Sequence, residues 1–398
     1  MDSWRERLPL YFAGGSAVAS VVSIAASQIL LGLALASLIA AWRKPRWLPV
    51  YPALIAWCAL TIVSALVSGH ARGAFPQIKK FYVYLMLVVV STAFTSLKQV
   101  RTLVLFWTAA AACSAAWSCV QFAHKYRASI GGGTDFYQAY VSDRVTGFMD
   151  HWMTFSGEMM MALLLVGSLV LFALNRRGLA WVYPAGGLIT VGLIAGFTRS
   201  MWMGAAVPGA FLLWRKKPVL ILAVPVALGL LLLFNPFQVR DRLVSIRVPR
   251  GDLDSNAHRE LTRAVGLRMI EAHPVFGVGP EQVGPQFESY LPPDTPRPLP
   301  RGYYGHLHNI YYHYGAERGL VALAALLWFL GRAFYDFARG IGTVKPEARW
   351  VLYGALTVLV AELLSGYFEV NLGDSEVLAM FLSVVACGYV ALLEPDFS

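Results

Sequence analysis

The stretch "YYGHLHNIYYHYGAERGLVALAALLWF", residues 303–329, joins a polar segment to a run apolar enough to enter a lipid bilayer. Its first half carries His306, His308, Asn309 and His313, whereas its second half has no charged side chain from Leu320 onward. Burying polar groups beside a membrane segment is unfavourable, so ionisable residues at this border indicate a functional site. The stretch therefore predicts a membrane helix that begins directly behind a candidate site.

Similar apolar runs recur from one end of the chain to the other. The chain has 398 residues, of which 57% are hydrophobic and 14% charged, and its mean hydropathy is +0.55. Soluble domains usually carry about 25% charged residues. Twelve runs are candidates for crossing about 30 Å of hydrocarbon. We predict an all-α integral membrane protein with about twelve transmembrane helices. Ten or eleven crossings are the alternative, because the first two runs are barely separated and the eighth is short.

The runs are unevenly distributed along the chain. Nine lie within residues 1–235, three lie within residues 309–398, and a long connection of residues 236–308 separates the two groups. If the runs alternate in direction, the basic segments "RKPR", "NRRG" and "RKK" all fall on one side, which the positive-inside rule makes cytoplasmic. We therefore expect both termini in the cytoplasm. The long connection would then face the periplasm, if the protein lies in the inner membrane of a Gram-negative bacterium.

Composition argues against two other classes of function. The net charge is +10, but the basic residues are spread over loops and form no arginine-rich stripe, so an anionic lipid or substrate fits better than nucleic acid. The four cysteines lie within apolar runs and show no metal-ligand spacing. The segment "DLD" at 252–254 looks like a metal-binding DxD, but helix capping explains Asp254. We therefore expect neither a metal nor another cofactor.

The long connection contains one clear helix pattern. "DLDSNAHRELTRAVGLRMIEAHPVFGVG", residues 252–279, predicts a helix that is capped by Asp254, Ser255 or Asn256 and runs to about Ala272. Arg259 and Arg263 lie on one face of it, four residues apart, where like charges repel unless an anion lies near them. The pattern indicates a phosphate group, and a solvated helix face is the alternative.

Other basic residues are candidates because of their position. Arg199, in "LIAGFTRSMWMGAAV", is a single charge between two apolar runs, which is costly and often functional; contact with lipid headgroups is the alternative. Arg144 and Arg301 are predicted on the same outer side. His308 precedes a helix start, whose free N–H groups favour a neutral imidazole that can act as a base. An interfacial histidine without a catalytic role remains the alternative.

Three motifs together resemble the bacterial superfamily of O-antigen ligases and O-antigen polymerases, which includes protein O-oligosaccharyltransferases. In the ligases, a histidine and an Asn, Ser or Gln are followed by nine residues and a glycine; His308, Asn309 and Gly319 match. The pattern continues to Gly, Thr or Tyr, where this chain has Ala322. An arginine ahead of a "PxxGxG" close is matched by Arg259 with 274–279, and the "TRS" turn and "RVTGFMDHW" are also similar.

The resemblance implies a GT-C-like bundle with short helices in its long periplasmic loop, and a metal-independent, inverting glycosyltransferase. The donor would be a glycan on undecaprenyl pyrophosphate, and the acceptor a sugar hydroxyl of lipid A-core in lipopolysaccharide biosynthesis. His308 would be the base and Arg199 with Arg259 the pyrophosphate clamp. Further contacts to pyrophosphate or glycan are expected from Arg144, Arg263, Arg301, His306 and Asn309. A polymerase or a protein O-oligosaccharyltransferase uses the same chemistry, and Glu362 inside an apolar run leaves a polytopic transporter as an alternative of another class.

Overall fold

The structure is a computed structural model and describes residues 4–133, 135–245 and 256–393. Asp252, Asp254 and Ser255 lie outside these ranges, so the predictions about them stay untested. Within the described ranges the chain forms seventeen α-helices with short 3-10 turns and no strand. The helices are α1 Trp4–Ala19, α2 Ile24–Ala40, α3 Tyr51–Val67, α4 Phe75–Lys79, α5 Phe81–Ala93, α6 Leu97–Gly131, α7 Phe136–Ser142, α8 Trp152–Phe172, α9 Val182–Ala195, α10 Arg199–Lys216, α11 Ala223–Phe234, α12 Val239–Val244, α13 Asn256–Ala272, α14 Val283–Gln286, α15 Ile310–Gly340, α16 Arg349–Ser365 and α17 Ser375–Leu392.

The all-α class is confirmed, and each of the twelve predicted apolar runs contains a helix. By length and composition, α6, α8, α15 and α17 are the described helices able to cross a membrane, and four shorter segments are also apolar. Twelve crossings therefore stay a prediction. Large apolar side chains point outward from many helices, for example Ile39 at 75% exposure, Leu66 at 66% and Phe106 at 59%. Such an outer surface suits contact with lipid.

Small residues let the central helices approach one another closely. α8 packs against α16 and α10, and α17 packs against α5 and α16. A Cβ atom at Gly354 would lie 2.7 Å from Oγ of Ser168, so the backbone of α16 lies directly against a side chain of α8. Close packing of this kind replaces the hydrophobic effect as the source of helix association in a bilayer.

The long connection folds back onto the bundle through α13. This helix ends at Ala272, as predicted, and its apolar stripe of Leu261, Val265 and Met269 packs in a second core with Phe287 and Leu307. The burial of this stripe orients α13, so that the face carrying Arg259 turns towards the membrane bundle. The connection thus also contains the short helices expected of it.

The motif that ends at Gly319 contacts the "PxxGxG" motif of residues 274–279. α15 is kinked at Gly319, where φ is 81° and ψ is 166°. The kink exposes backbone groups that pair with the loop after α13: Leu320 N donates to the carbonyl of Pro274 and Gly279 N to that of Glu317, both at 2.8 Å. A Cβ atom at Gly319 would collide with the carbonyl of Val275. This contact fixes α13 against the start of α15.

Candidate functional site

A small cavity at the junction of α8, α10, α13 and α15 brings together residues that are far apart in sequence. Its volume is ≈ 90 Å³, and we call it the arginine cavity. Arg199, Arg259 and His308, the three residues predicted as catalytic, all line it, and so does Arg144. The remaining ionisable residues of its lining are Arg242, His258 and Glu369.

Arg199 and Arg259 line the cavity from two different helices, and other side chains hold each of them. Arg199 is the first residue of α10 and donates hydrogen bonds to Ser245 Oγ at 3.0 Å and Asn256 Oδ1 at 3.3 Å. Arg259 projects from α13 and forms an ion pair with Glu369. The Nε of Arg259 is buried and has no hydrogen-bond partner among the described residues. An anion in the cavity would supply one, since guanidinium groups suit phosphate oxygens.

Two further arginines, Arg144 and Arg242, are buried and add positive charge to the cavity lining. Arg144 donates from Nε to the carbonyl of Val141 at 3.1 Å and lies over the ring of Trp152 at 5.0 Å. Arg242 donates from Nε to the carbonyl of Phe197 at 3.2 Å. Burial, followed by the charge of Arg242, lowers the pKa of Arg144 to about 9, so Arg144 remains a cation at neutral pH. Four guanidinium groups thus line the cavity together with the carboxylate of Glu369, and guanidinium groups suit the oxygens of phosphate.

His308 contacts a hydrogen-bond acceptor with each of its ring nitrogens. Nδ1 lies 3.3 Å from Oε2 of Glu369, and Nε2 lies 3.2 Å from the carbonyl oxygen of Tyr303. A neutral imidazole has one N–H and can donate to only one of them. The charge-assisted bond to Glu369 is the stronger choice, which leaves Nε2 as the nitrogen able to accept a proton. The backbone of His308 is left-handed, with φ of 49°, a conformation often found at functional sites.

Glu369 is a carboxylate at neutral pH. Burial alone would raise its pKa, but the charge of Arg259 and the hydrogen bond from His308 outweigh burial and lower the pKa to about 2. The side chain is only 3% exposed, and it contacts both His308 and Arg259. Glu369 therefore links the proposed base to one arm of the proposed clamp.

The residues predicted to make further contacts with pyrophosphate or glycan lie at different places in the structure. The ring of His306 packs edge-on against that of His308 with centroids 4.1 Å apart, and its Nδ1 accepts a hydrogen bond from the backbone N–H of His308 at 3.3 Å. Burial, followed by the charge of His308, lowers the pKa of His306 to about 3. Arg263 lies over the ring of Tyr367 at 5.1 Å, near the arginine cavity but outside its lining.

Asn309 and Arg301 take other places. Asn309 is buried and caps α15: its Oδ1 accepts from the backbone N–H groups of Tyr311 and Tyr312 at 2.9 and 3.0 Å. Its Nδ2 donates to the carbonyl of Tyr367 at 2.7 Å. Arg301 is exposed and lines neither the arginine cavity nor the groove next to it. These contacts give Asn309 a structural task, and they leave a substrate contact of either residue a prediction.

An apolar groove of ≈ 970 Å³ opens from the arginine cavity along α9, α10, α11 and α13. Arg199, Ser200 and Arg259 line both spaces, so the two spaces meet at the clamp. Arg263 lies at the same end of the groove. Leucine and isoleucine side chains line much of the rest, among them Leu193, Ile194, Leu228 and Leu231.

Sequence reasoning missed Arg242, His258 and Glu369. Glu369 follows the apolar run of α16 and is predicted on the same side as His308, so a charge beside an apolar run, the signal that indicated Arg199, also indicates Glu369. In the same segment, the sequence singles out Glu362, as the residue that favours a transporter. That carboxyl group is buried within α16, with no hydrogen-bond partner in the described part of the chain. Within residues 4–133, 135–245 and 256–393, no group of three or more His, Cys, Asp or Glu is arranged to hold a metal ion.

Comparison with known proteins finds similarity to one family. The model of a family described as O-antigen ligase matches residues 162–327, a span that contains Arg199, Arg242, Arg259 and His308. No curated protein matches the chain. The family is one of glycosyltransferase-like membrane enzymes, which fits the apolar helices of an integral membrane protein. The resemblance carried by the motifs is thereby confirmed, since residues 162–327 are similar to the family of O-antigen ligases.

Proposed function

We propose that the protein is an O-antigen ligase of the bacterial inner membrane. It transfers a complete glycan from undecaprenyl pyrophosphate to a sugar hydroxyl of lipid A-core, at the periplasmic face and in lipopolysaccharide biosynthesis. The reaction needs no metal. Both termini lie in the cytoplasm, as the basic segments predict.

One observation carries this proposal: the arginine cavity and the apolar groove share Arg199 and Arg259. A polyprenyl pyrophosphate has the same two parts, an apolar tail and a compact polyanionic head. The groove offers the tail about 970 Å³ of mainly apolar space, and four guanidinium groups line the arginine cavity that we propose for the head. Few other substrates combine a long lipid with a double phosphate, so the pair of spaces favours this donor class.

The residues of the cavity supply the two requirements of glycosyl transfer. The oxygen of the acceptor hydroxyl forms a bond to the anomeric carbon, and the bond from that carbon to the pyrophosphate oxygen breaks. His308 Nε2 takes the hydroxyl proton, while the electron pair of the broken bond leaves with the pyrophosphate. Arg199 and Arg259, with Arg144 and Arg242, stabilise the negative charge that develops there. Attack from the side opposite to the leaving group inverts the anomeric centre.

His308 has to exchange a partner before it acts. Its Nε2 lies 3.2 Å from the carbonyl oxygen of Tyr303, the position that an acceptor hydroxyl would take. The hydroxyl therefore replaces this carbonyl, while Glu369 retains Nδ1–H. A hydroxyl donates a hydrogen bond where a carbonyl cannot, so the exchange provides Nε2 with the proton it accepts in the reaction.

Reconstitution in vesicles tests the proposal and separates it from its alternatives. Purified protein receives undecaprenyl-pyrophosphate glycan together with lipid A-core, a second donor molecule and a serine-containing protein, in competition. A ligase glycosylates lipid A-core and retains its activity in EDTA. Extension of the second donor would instead identify a polymerase, and glycosylation of serine a protein transferase. If the glycan–lipid crosses the membrane unchanged, the transporter is the right class.

A further inference from the structure

A second polar cavity of ≈ 200 Å³ lies on the other side of Glu369 from the arginine cavity. Met153 and Glu369 line both cavities, whereas the polar cavity shares no lining residue with the apolar groove. The three spaces thus follow one another in the order groove, arginine cavity and polar cavity. Two of the histidines, His306 and His313, line the polar cavity together with Lys80, Asn371 and Asp374.

Two buried polar groups in this lining lack a partner. Nδ1 of His313 and Oδ1 of Asn371 form no hydrogen bond within the described part of the chain, although the residues are only 6% and 2% exposed. Buried polar groups are normally paired, and each unpaired one needs an explanation. Both residues line the polar cavity, so a ligand with several hydroxyl groups there is a candidate partner for these groups.

The charges of the lining distinguish this cavity from the arginine cavity. One cation, Lys80, faces the carboxylates of Glu281, Glu369 and Asp374. Lys80 Nζ already donates to the carbonyl of Gly373 at 2.7 Å, and Asp374 accepts from Thr154 Oγ1 at 2.8 Å. A phosphate would meet an excess of negative charge here. A neutral polyol suits the mixture of donors and acceptors, because each hydroxyl can donate one hydrogen bond and accept others.

The size of the cavity limits the ligand. Its ≈ 200 Å³ is roughly six to seven times the 30 Å³ that one water molecule occupies in the liquid. That space suits one pyranose ring and excludes an oligosaccharide. The polar cavity also lies next to the proposed base, because Tyr303 lines this cavity and its carbonyl oxygen lies 3.2 Å from Nε2 of His308.

We infer that the polar cavity is the subsite for one pyranose ring of the acceptor. The inference rests on the proposed function. A sugar in this cavity approaches Nε2 of His308 from the side of Tyr303, and the pyrophosphate in the arginine cavity lies across Glu369 from it. The attacking hydroxyl and the leaving group therefore lie on opposite sides of the reacting carbon. His306, whose Nδ1 already accepts a hydrogen bond from His308 N, presents Nε2–H as a donor to the sugar.

The test combines kinetics with direct binding. Methyl α-D-glucopyranoside and methyl α-D-galactopyranoside serve as monosaccharide probes, and Asp374→Asn and Asn371→Ser as variants that preserve side-chain size or reduce it slightly. We expect at least one probe to inhibit transfer competitively against lipid A-core but not against the donor. Each variant should raise the KM for the acceptor at least tenfold and change the KM for the donor less than twofold. Thermal unfolding in detergent confirms that a variant is folded, and the second variant replaces one that is not.

Inhibition competitive against the donor, or a raised KM for the donor alone, would assign the cavity to the first donor sugar and overturn the inference. Unchanged acceptor kinetics in both folded variants would overturn it as well. Saturation-transfer NMR of the probes with wild-type protein distinguishes a failure of the inference from a failure of the proposed function. If wild type transfers no glycan, the proposed function fails, whereas probe binding that Asp374→Asn abolishes still supports a sugar subsite. Absence of probe binding to wild type removes the subsite itself.

Discussion

Oε2 of Glu369 lies 3.3 Å from Nδ1 of His308, while its other carboxylate oxygen pairs with Arg259. One buried carboxylate therefore contacts both the proposed base and one arm of the proposed clamp. In the proposed transfer, a carboxylate in this position fixes the tautomer of the imidazole and stabilises the imidazolium that forms, as the aspartate does in serine proteases.

Glu369→Gln should preserve the size of this side chain but reverse its preference towards His308. An amide that donates to the ring favours the tautomer with its proton on Nε2, which cannot act as a base. We expect the rate of glycan transfer to fall by about 10²–10⁴-fold, by analogy with the loss of a triad carboxylate. Donor binding should change little, since four arginines remain. Full activity of a folded Glu369→Gln protein would show that the carboxylate does not orient the base.

The sequence predicted those site residues that are polar although their neighbours in the chain form an apolar run. Arg199 between two apolar runs and His308 before a membrane helix are costly where they stand, so each indicated a site by itself. Arg242 lies in a polar connection where a basic residue is unremarkable, and only folding places it beside Phe197 and Tyr137. The convergence of His308 and Arg259 depends on the packing of Gly319 against the Val275 loop. That packing joins two segments of the chain, and a local sequence pattern does not show which other segment it will contact.

Replacing the arginines of the cavity should reveal a clamp that depends on geometry. We expect Arg199→Ala and Arg259→Ala each to lower kcat/KM by about 10²–10³-fold, the range found for lost transition-state donors. Arg→Lys variants should recover only part of this loss, because an ammonium cannot bind a phosphate through two parallel hydrogen bonds. Arg268→Ala is the matched control, because Arg268 lies on the same helix as Arg259, is exposed and lies outside the cavity lining, and it should retain wild-type kinetics. Equal losses in all three alanine variants would indicate a general effect of charge.

Filling the groove should discriminate between donors by tail length. Ala206 on α10 lines the groove, whereas its neighbour Val207 does not and is 53% exposed. Ala206→Trp should raise the KM for an undecaprenyl donor at least tenfold, yet affect a donor with a short prenyl tail much less. Val207→Trp adds the same side chain outside the groove lining and should behave as wild type. The measurement is transfer kinetics with both donors, and equal effects on both would place the tail elsewhere.

The kink of α15 should tolerate no side chain. At Gly319 the backbone has φ of 81°, and a Cβ atom would meet the backbone of Val275 and Phe276. We expect Gly319→Ala to destabilise the protein by about 2–4 kcal/mol, since strain and displacement of a packed loop add together. Gly331→Ala is the control on the same helix, where a Cβ atom meets nothing within 4 Å; replacing this helical glycine should be neutral or stabilise by about 1 kcal/mol. Thermal unfolding in detergent compares them, and similar midpoints would show that the kink is not required.

Buried histidines should make the protein sensitive to mild acid. Burial, followed by the charge of His308, lowers the pKa of His258 from 6.5 to about 4. Between these two pH values the unfolded chain binds a proton at this residue and the folded chain does not, so stability falls as the pH falls from 6.5 to 4. The shift corresponds to a loss of at most about 3 kcal/mol, and Glu369 adds a separate loss at lower pH, between 4.5 and about 2.

His258→Phe tests this window, because the ring of His258 packs edge-on against Tyr304 and its buried Nε2 has no partner among the described residues. Phenylalanine retains a ring and takes up no proton. When the pH falls from 6.5 to 4.5, the free energy of unfolding should fall by about 1–3 kcal/mol less in the variant than in wild type. Thermal unfolding in detergent measures the difference. Above pH 7 the difference between the two proteins should no longer change with pH. Parallel curves throughout the acid range would mean that His258 takes up its proton as readily in the folded protein as in the unfolded chain, so that burial does not keep this imidazole neutral beside the proposed base.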